Sequence, residues 1–234
     1  MSINSELNLL NQKIVYDFTK FTTTDYIRHL SCVIWFKGCN FRCQYCYNDD
    51  IVFCKEGNYS INEILVFLES RIGMLDAVVL SGGEATLYDL TAICKKIKEF
   101  GFKIKLDTNG TNLKLIKKLI TNKLIDYMAI DFKSPKYKYK NIAGVNKYDD
   151  FIKTIKYLIN TDFDFELRST INSSLLDEDD INSMINTISN LDYKNTYYLQ
   201  NFIQTETNIG NISKHRDINK EKINNKKLSI QWRN

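Results

Sequence analysis

Short apolar runs alternate with helical patterns along most of this chain, and this alternation limits the folds that it can adopt. Ala77–Leu80 is fully apolar and precedes a helical pattern over Asp89–Phe100, and Phe102–Leu106 precedes a second one over Leu113–Thr121. Strands that alternate with helices in this way predict a parallel sheet covered by helices. Six such units can be counted along the chain, fewer than the eight of a complete barrel. The sequence therefore predicts an α/β fold, built as a partial, open barrel of six β–α units.

The remaining predicted elements and the domain limits follow from the same patterns. Ser60 and Glu63 match a capping box at the start of one helix, and Gly101 suits the end of another. The other predicted strands are Leu30–Phe36, Tyr127–Ile130, Phe163–Thr170 and Tyr197–Phe202, and the other predicted helices are Asp149–Ile159 and Glu178–Ser189. We expect residues 1–29 to form an N-terminal segment, residues 30–203 the barrel, and residues 204–234 a C-terminal tail. The tail is expected to be mobile and to end in a short strand.

Composition and charge argue against several classes of function. The 234 residues carry a net charge of +4 without a concentrated basic face, so no nucleic-acid partner is expected. No apolar run approaches the roughly 20 residues that span a bilayer, and the first residues do not resemble a signal peptide. We therefore expect a cytoplasmic protein with no membrane partner. In that reducing compartment, the six cysteines are expected to be ligands or buried thiols rather than disulfides.

Three cysteines at C-x₃-C-x₂-C spacing follow the first predicted strand. Cys39, Cys43 and Cys46 can together ligate three irons of a [4Fe–4S] cluster, which proteins hold through cysteine thiolates. The fourth iron would then keep an open coordination position, as catalytic metal sites do. The alternative is a closed zinc site, which needs four protein ligands. Its fourth ligand would have to be His29, Cys32 or Cys54.

Polar side chains lie at the ends of four predicted strands. After the second strand, Gly82 and Gly83 allow a close backbone approach to a ligand, and Glu84 places a carboxylate beside it. Asp107 and Asp131 end the next two strands; such residues can bind a ribose hydroxyl or a cation, or simply cap a turn. At the fifth strand Arg168 can pair with a carboxylate, with a surface salt bridge as the alternative. Because function in barrels of this kind lies at the C-terminal strand ends, we expect these side chains to contact a ligand.

The cysteine spacing, the aromatic Tyr45 before the last cysteine and the Gly-Gly-Glu motif resemble the signature of the radical S-adenosylmethionine (SAM) superfamily. The resemblance implies a (β/α)₆ barrel with a [4Fe–4S] cluster on Cys39, Cys43 and Cys46, and SAM chelated to the open iron. It implies that one electron from the cluster cleaves SAM to a 5′-deoxyadenosyl radical. It also implies that the amino group of SAM binds at the loop formed by Gly82, Gly83, Glu84 and Thr86, in which Ala85 replaces the usual Pro.

A longer series of motifs resembles the activating proteins of anaerobic ribonucleoside-triphosphate reductase. The runs FTTTDY, GCNFRCQYCYN, LDAVVLSGGEAT, KLDTNGT, DYMAIDFKSP and YYLQ occur in this order over most of residues 21–200. Those proteins use the SAM-derived radical to abstract hydrogen from a backbone glycine of the reductase. The resemblance thus implies a protein substrate, and an electron donor such as flavodoxin or ferredoxin.

Likeness to the related pyruvate formate-lyase activases implies a monovalent-cation site near the SAM carboxylate. Asp107, Thr108 and Asp131 would surround the cation, and Asp107 would also meet the SAM ribose. Lys133 would lie near SAM, and Arg168 is a further candidate contact. No catalytic side chain beyond the cluster ligands is predicted.

Two alternatives remain open at this point. One is a radical SAM enzyme that acts on a small molecule, such as a deazapurine-forming ring-contracting enzyme, or an activase of another glycyl radical enzyme. The other is a non-catalytic module in which the cysteines hold zinc.

Overall fold

The structure is a computed structural model that describes residues 8–224, 226 and 228–233. Its contacts divide the chain into two compact units. The first unit contains the residues up to Asn40, Asp50–Thr108 and Asn112–Met128, and the second contains Phe41–Asp49, Asn109–Thr111 and the residues from Ala129 onward. The cysteine motif therefore contributes Cys39 to the first unit, and Cys43 and Cys46 to the second.

The strands and helices alternate as the sequence predicts. The strands are β1 (Lys13–Thr22), β2 (Ser31–Phe36), β3 (Tyr59–Ser60), β4 (Ala77–Gly82), β5 (Lys103–Thr108), β6 (Tyr127–Asp131), β7 (Phe165–Ile171), β8 (Tyr197–Asn201) and β9 (Ile230–Arg233). The helices are α1 (Asp49–Phe53), α2 (Ile61–Glu69), α3 (Thr91–Glu99), α4 (Leu113–Thr121), α5 (Lys136–Ala143), α6 (Tyr148–Ile159) and α7 (Glu178–Asn190). Short 3₁₀ turns occur at Ala85–Leu87 and Lys220–Lys222.

In the first unit the strand order is β3-β1-β2-β4-β5. Strand β4 runs parallel to both β2 and β5, with Phe36 opposite Gly82 and Leu80 opposite Leu106. All residues of β4 from Ala77 to Leu80 are fully buried, as is typical of a parallel strand covered on both faces. Because β2, β4 and β5 are parallel, their C-terminal ends lie at one edge of the sheet. That edge carries the polar motifs predicted for the first unit.

In the second unit Ala129–Asp131 of β6 is followed in strand order by β7, β8 and β9. Strand β8 lies between β7 and β9 and is parallel to both. Helix α7 begins with a capping box, in which Asp177 and Asp180 each accept a hydrogen bond from the other's backbone N–H. The N–H of Phe132 donates to the carbonyl of Arg168, so the loop after β6 stays close to β7. This contact places Asp131 and Arg168 side by side.

The predicted elements are all present, and the described residues contain further ones that were not predicted. Helix α4 has the predicted bounds, and Ser60 and Glu63 form the predicted capping box at α2. The additional elements are β1, β3, α1 and α5. Strand β1 is antiparallel to β2 and falls within the predicted N-terminal segment 1–29, of which residues 1–7 lie outside the described residues.

The expected C-terminal tail, residues 204–234, contains the predicted short strand. Strand β9 pairs in parallel with β8, from Ile230 opposite Tyr197 to Arg233 opposite Gln200. Between β8 and β9 the chain is hydrogen-bonded to the rest of the second unit at several points. The division into residues 1–29, 30–203 and 204–234 stays a prediction. Among the described helices, none is long and apolar enough to cross a membrane.

Candidate functional site

The loop after β4 packs directly on the chain from Phe36 to Cys39, where the cysteine motif begins. The N–H groups of Gly83 and Glu84 donate to the carbonyls of Phe36 and Gly38, at 2.9 Å each. A Cβ atom on Gly83 would lie 1.9 Å from the Gly38 oxygen and 3.2 Å from the Cys39 nitrogen. Only glycine therefore fits at position 83, and the Gly-Gly-Glu motif is held against the chain that leads to Cys39.

Glu84 is the buried carboxylate of this edge, with only 2% of its surface exposed. Its Oε1 accepts hydrogen bonds from the Thr86 N–H (3.1 Å), the Thr86 hydroxyl (2.5 Å) and the Thr108 hydroxyl (2.7 Å). The same side chain caps the 3₁₀ turn at Ala85–Leu87, where Ala85 is fully buried. Three predicted site residues, Glu84, Thr86 and Thr108, thus form one connected group at the ends of β4 and β5.

Asp107 is paired with a lysine of its own strand. The Lys105 ammonium lies 3.1 Å from Oδ1 of Asp107 and also donates to the Asp25 carbonyl at 2.6 Å. The Ser81 hydroxyl donates weakly to Oδ2 of Asp107 at 3.4 Å. Lys105 is 5% exposed. The first of the two carboxylates predicted to surround a cation is therefore in contact with a built-in positive charge.

In the second unit Asp131 lies between two positively charged side chains. Its Oδ1 is 2.5 Å from the Arg168 Nε, and its Oδ2 is 3.0 Å from the Lys133 Nζ. Burial alone raises the pKa of Asp131, but the charges of Arg168 and Lys133 outweigh it and hold this pKa well below its ordinary value. Burial alone lowers the pKa of Lys133, but the negative charge of Asp131 outweighs it and holds this pKa well above its ordinary value. Arg168 therefore pairs with the carboxylate of Asp131, and its predicted contact with the cofactor stays a prediction.

The second half of the cysteine motif lies beside this ion-paired group. Cys43 and Tyr45 are buried, and the Lys133 ammonium lies 5.8 Å from the centre of the Tyr45 ring. Burial raises the pKa of the Cys43 thiol to about 11, while the positive charge of Lys133 acts in the opposite direction. Burial also raises the pKa of Cys46. A positive charge near buried thiols favours their thiolate form, which is the form that binds metal.

All six cysteines lie in the described residues, and none of them forms a disulfide. In the part of the chain that the structure describes, no group of three or more His, Cys, Asp or Glu side chains is arranged to hold a metal ion. The donor set itself fits a [4Fe–4S] cluster, because three cysteines outside any disulfide share one eight-residue segment and such clusters are bound by thiolates. Cys32 and Cys94 are fully buried in β2 and α3, and burial raises the pKa of each to about 12, so neither offers a ready ligand.

Three contributors to these groups were not found by sequence reasoning. Lys105 lies inside the predicted strand Phe102–Leu106, where a lysine is a signal of a buried ion pair. Asn112 donates its side-chain N–H to the Thr86 carbonyl at 2.8 Å, and it also caps α4. Tyr139 is fully buried on α5, and its hydroxyl has no hydrogen-bond partner among the described residues. The Lys- and Tyr-rich sequence of α5 gave no clear helical signal.

A parallel α/β fold that carries its polar motifs at the C-terminal strand ends defines a class of enzymes that bind cofactors at that edge. The sequence profile of the radical SAM superfamily matches residues 33–191, which include the cysteine motif and every predicted site residue. The chain belongs to the radical SAM superfamily.

The relatives include several proteins that are named as activating enzymes. A protein of Methanocaldococcus jannaschii, provisionally named a glycyl-radical enzyme activating enzyme, is 35% identical over 196 residues, which cover 81% of this chain and 80% of the relative. The pyruvate formate-lyase-activating enzyme of Clostridium pasteurianum is 31% identical over 172 residues, covering 68% of this chain and 69% of that enzyme. A probable GTP 3′,8-cyclase of Thermococcus kodakarensis is 30% identical over 59% of this chain, which spans 46% of the cyclase.

Solved structures share the fold. The Streptococcus suis protein SuiB, determined with S-adenosylmethionine bound, superposes with a TM-score of 0.63 and 14% identity, covering 86% of this chain and 52% of SuiB. The predicted α/β fold class is confirmed. The predicted cofactors of the superfamily, a [4Fe–4S] cluster and S-adenosylmethionine, are confirmed as well. The zinc-module alternative is set aside by the family membership.

Proposed function

We propose that this protein generates a glycyl radical on a partner enzyme, and that the partner is anaerobic ribonucleoside-triphosphate reductase. The observation that carries the proposal is the Gly83 contact. It fixes the buried Glu84 group against the chain leading to Cys39, so that a ligand of the cluster and a ligand of SAM share one edge. The relative from M. jannaschii and the C. pasteurianum enzyme, both named as activating enzymes, support a protein substrate. The ordered motifs over residues 21–200 favour the reductase over other glycyl radical enzymes.

In this proposal Cys39, Cys43 and Cys46 hold three irons of the cluster and leave the fourth open to SAM. When bound and reduced, the cluster supplies the electron that cleaves SAM to methionine and a 5′-deoxyadenosyl radical, which abstracts hydrogen from the partner's glycine. Tyr45, which lies between Cys43 and Cys46 in the sequence, is buried.

The Glu84 group binds the amino end of SAM. Thr86 and Thr108 orient the Glu84 carboxylate through Oε1, and these three hydrogen bonds come from neutral donors. A carboxylate held in this way suits an ammonium group. Gly82 and Gly83 let the backbone approach that ligand closely.

The Asp131 group acts differently. Arg168 and Lys133 already neutralise Asp131, so this carboxylate positions two cations that can meet the negatively charged carboxylate of SAM. Lys105 contacts Asp107 in the same manner. In our proposal Asp107 binds the SAM ribose. Arg168 and Lys133 supply, beside Asp131, the positive charge that the likeness to the pyruvate formate-lyase activases assigns to a monovalent cation.

The test is anaerobic reconstitution with iron and sulfide, followed by reduction and electron paramagnetic resonance (EPR). We expect a [4Fe–4S]⁺ signal that changes when SAM is added, 5′-deoxyadenosine as a product, and a glycyl radical signal when the anaerobic reductase is present. Cys43→Ala should lose the cluster. Cys94→Ala is the matched control, because it removes a buried thiol of α3 that is outside the motif, and it should keep the cluster.

A second candidate is a radical SAM enzyme with a small-molecule substrate, which the likeness to the T. kodakarensis cyclase favours. GTP and pyruvate formate-lyase are therefore assayed beside the reductase. 5′-Deoxyadenosine formation that depends on GTP, with no radical on any protein, would support this second candidate and contradict the activase proposal. A radical on pyruvate formate-lyase alone would retain the activase and change its partner.

A further inference from the structure

The cysteine segment, residues 42–46, is hydrogen-bonded along one side of its backbone to the end of α5. The N–H groups of Arg42 and Gln44 donate to the carbonyls of Ala143 and Ile142, at 2.9 Å each. The Gln44 side chain donates to the Asn141 carbonyl at 2.8 Å. Three hydrogen bonds thus hold Arg42 and Gln44 against the end of α5.

The other side of the same segment is covered by a turn from the C-terminal part of the chain. The N–H groups of Ile209 and Gly210 donate to the carbonyls of Cys46 and Gln44, at 2.9 and 2.8 Å. A Cβ atom on Gly210 would lie 2.6 Å from the Gln44 Cβ and 2.8 Å from the Gln44 oxygen. Glycine is therefore needed at position 210 for the turn to approach the cysteine segment this closely.

The turn is stiffened by its own side chains. Asn208 bonds Ile212 twice, since its amide donates to the Ile212 carbonyl and its Oδ1 accepts from the Ile212 N–H, both at 2.8 Å. The N–H of Asn211 donates to the Asn208 carbonyl at 3.0 Å. A turn closed in this way presents the N–H groups of Ile209 and Gly210 in fixed directions.

The chain that leaves the turn is anchored to the start of α7. Arg216 forms a two-pronged ion pair with Glu178, at 2.7 and 2.5 Å, and the Asn219 N–H donates to the same carboxylate at 2.7 Å. The Ser173 hydroxyl donates to the Arg216 carbonyl and accepts from the Arg216 N–H. Two-pronged arginine–carboxylate pairs are among the stronger polar contacts in proteins.

We propose that residues 208–219 form a strap that positions the cysteine segment for cluster binding, with Gly210 as its contact point and the Glu178–Arg216 pair as its anchor. The strap lies beyond residue 191, where the match to the radical SAM profile ends. The inference rests on the proposed cluster ligands Cys43 and Cys46.

The strap gives Gly210 and Arg216 a positioning role, because neither needs to touch the cluster. If the turn withdraws, two carbonyls of the cysteine segment lose their hydrogen bonds, and the thiols of Cys43 and Cys46 are no longer held in one orientation. By linkage, a loaded cluster should in turn hold the strap in place.

The test measures the release of iron from reconstituted protein to a chelator under anaerobic conditions. We expect Gly210→Ala and Arg216→Gln to release iron about threefold to tenfold faster than the parent chain, the effect of losing one or two hydrogen bonds. Lys214→Gln is the matched control, since it removes one positive charge from the same strap. Its ion pair with Asp217 is exposed and does not reach Glu178. This variant should release iron at the parent's rate.

Hydrogen exchange of the parent chain supplies a readout that requires no variant. Loading the cluster should slow exchange at the amides of Ile209 and Gly210, while the thermal unfolding of the metal-free chain controls for a general loss of stability. Equal iron release from Gly210→Ala and the parent, or from Arg216→Gln and Lys214→Gln, would overturn the strap, as would unchanged exchange at both amides. A parent chain that loads no cluster would instead contradict the proposed function on which the strap rests.

Discussion

The two units place a carboxylate at the end of a parallel strand, and they stabilise it in opposite ways. Glu84 accepts three hydrogen bonds from the neutral groups of Thr86 and Thr108. Asp131 is paired with two full positive charges, on Arg168 and Lys133. In our proposal the difference corresponds to two uses: Glu84 offers its negative charge to a ligand, whereas Asp131 orients two positively charged side chains.

The difference also predicts how each group depends on its neighbours. Exchanging a hydroxyl donor for another neutral donor should lower the free energy of unfolding only modestly, because no charge loses its partner. Removing a charge from a partly buried ion pair leaves its partners uncompensated, which is more costly. Mutations at the two sites should therefore separate a structural carboxylate from a ligand-binding one.

The largest effect is expected from breaking the support of Glu84 at Gly83. Gly83→Ala places a Cβ atom 1.9 Å from the Gly38 oxygen, which is backbone and cannot turn aside. We expect a loss of about 3 kcal/mol or more in the free energy of unfolding, as for severe overpacking, measured by urea denaturation of the metal-free chain.

Gly73→Ala provides the control for this prediction. Gly73 has a left-handed backbone, with φ of +76°, but no atom lies within 4 Å of a Cβ built there. This variant should lose only about 1 kcal/mol from backbone strain. Equal losses in the free energy of unfolding at the two positions would contradict the prediction that the close contact between Gly83 and Gly38 makes alanine costly at position 83.

The next largest effect is expected at Asp131. Asp131→Asn keeps the shape of the side chain but leaves Arg168 and Lys133 beside each other without a negative charge. We expect a loss of about 2 kcal/mol in the free energy of unfolding, less than for a fully buried pair because 28% of the Asp131 side chain is exposed. The double variant Asp131→Asn with Lys133→Met should recover part of this loss, since one stranded charge is removed. If it loses more instead, the ion-pair account of Asp131 is wrong.

Sequence reasoning found most of the elements because their signals are local. The capping residues of α2 and the apolar positions of α4 lie within a few residues of one another, and both helices occur as expected. Strand β1 was not found, because only Ile14 and Val15 of its ten residues are buried, so it lacks a clear apolar pattern. Helix α5 buries only Tyr139, Ile142 and Ala143 among lysines and tyrosines.

The sequence predicts which residues belong to the candidate site, but it does not predict the contacts between them. Glu84 and Thr108 are 24 positions apart, and nothing in either motif indicates that the Thr108 hydroxyl donates to Glu84. The turn at Gly210 lies in a sequence rich in Asn and Lys that favours a mobile tail, and only its hydrogen bonds to Gln44 and Cys46 reveal its position. Contacts between distant segments depend on the fold as a whole, which no local pattern encodes.

A smaller effect on stability, with a larger one on SAM, is expected at Glu84. Glu84→Gln keeps an oxygen that can accept from Thr86 and Thr108, so the free energy of unfolding should fall by only about 1 kcal/mol. Because the negative charge is lost, the affinity for SAM should fall about tenfold or more while the cluster stays intact, since hydrogen bonds to charged groups are worth about 1.5–3 kcal/mol.

Iron content and SAM binding by equilibrium dialysis measure the two consequences of Glu84→Gln separately. Unchanged SAM affinity with a full cluster would remove Glu84 from the SAM site. It would also erase the functional difference between the Glu84 and Asp131 groups.

The smallest effect concerns a third carboxylate, Glu178, which combines features of the first two. The hydrogen bonds from Arg216 lower its pKa from the ordinary 4.5 to about 2. A lowered pKa in the folded state means that the ionised form contributes stability, which is complete above pH 4.5 and is lost as the pH falls towards 2. Because the Arg216 side chain is 42% exposed, solvent weakens this contribution and the change should be small.

Thermal unfolding of the metal-free parent and of Glu178→Gln across this pH range tests the prediction. The melting temperature of the variant should be lower than that of the parent above pH 4.5, and the gap should close as the pH approaches 2. Glutamine does not titrate, so the narrowing must come from protonation of Glu178 in the parent. A gap that stays constant with pH would mean that Glu178 acts through its shape and its bond to the Asn219 N–H. In that case its partly exposed ion pair would resemble the neutral bonding of Glu84 more closely than the ion pairing of Asp131.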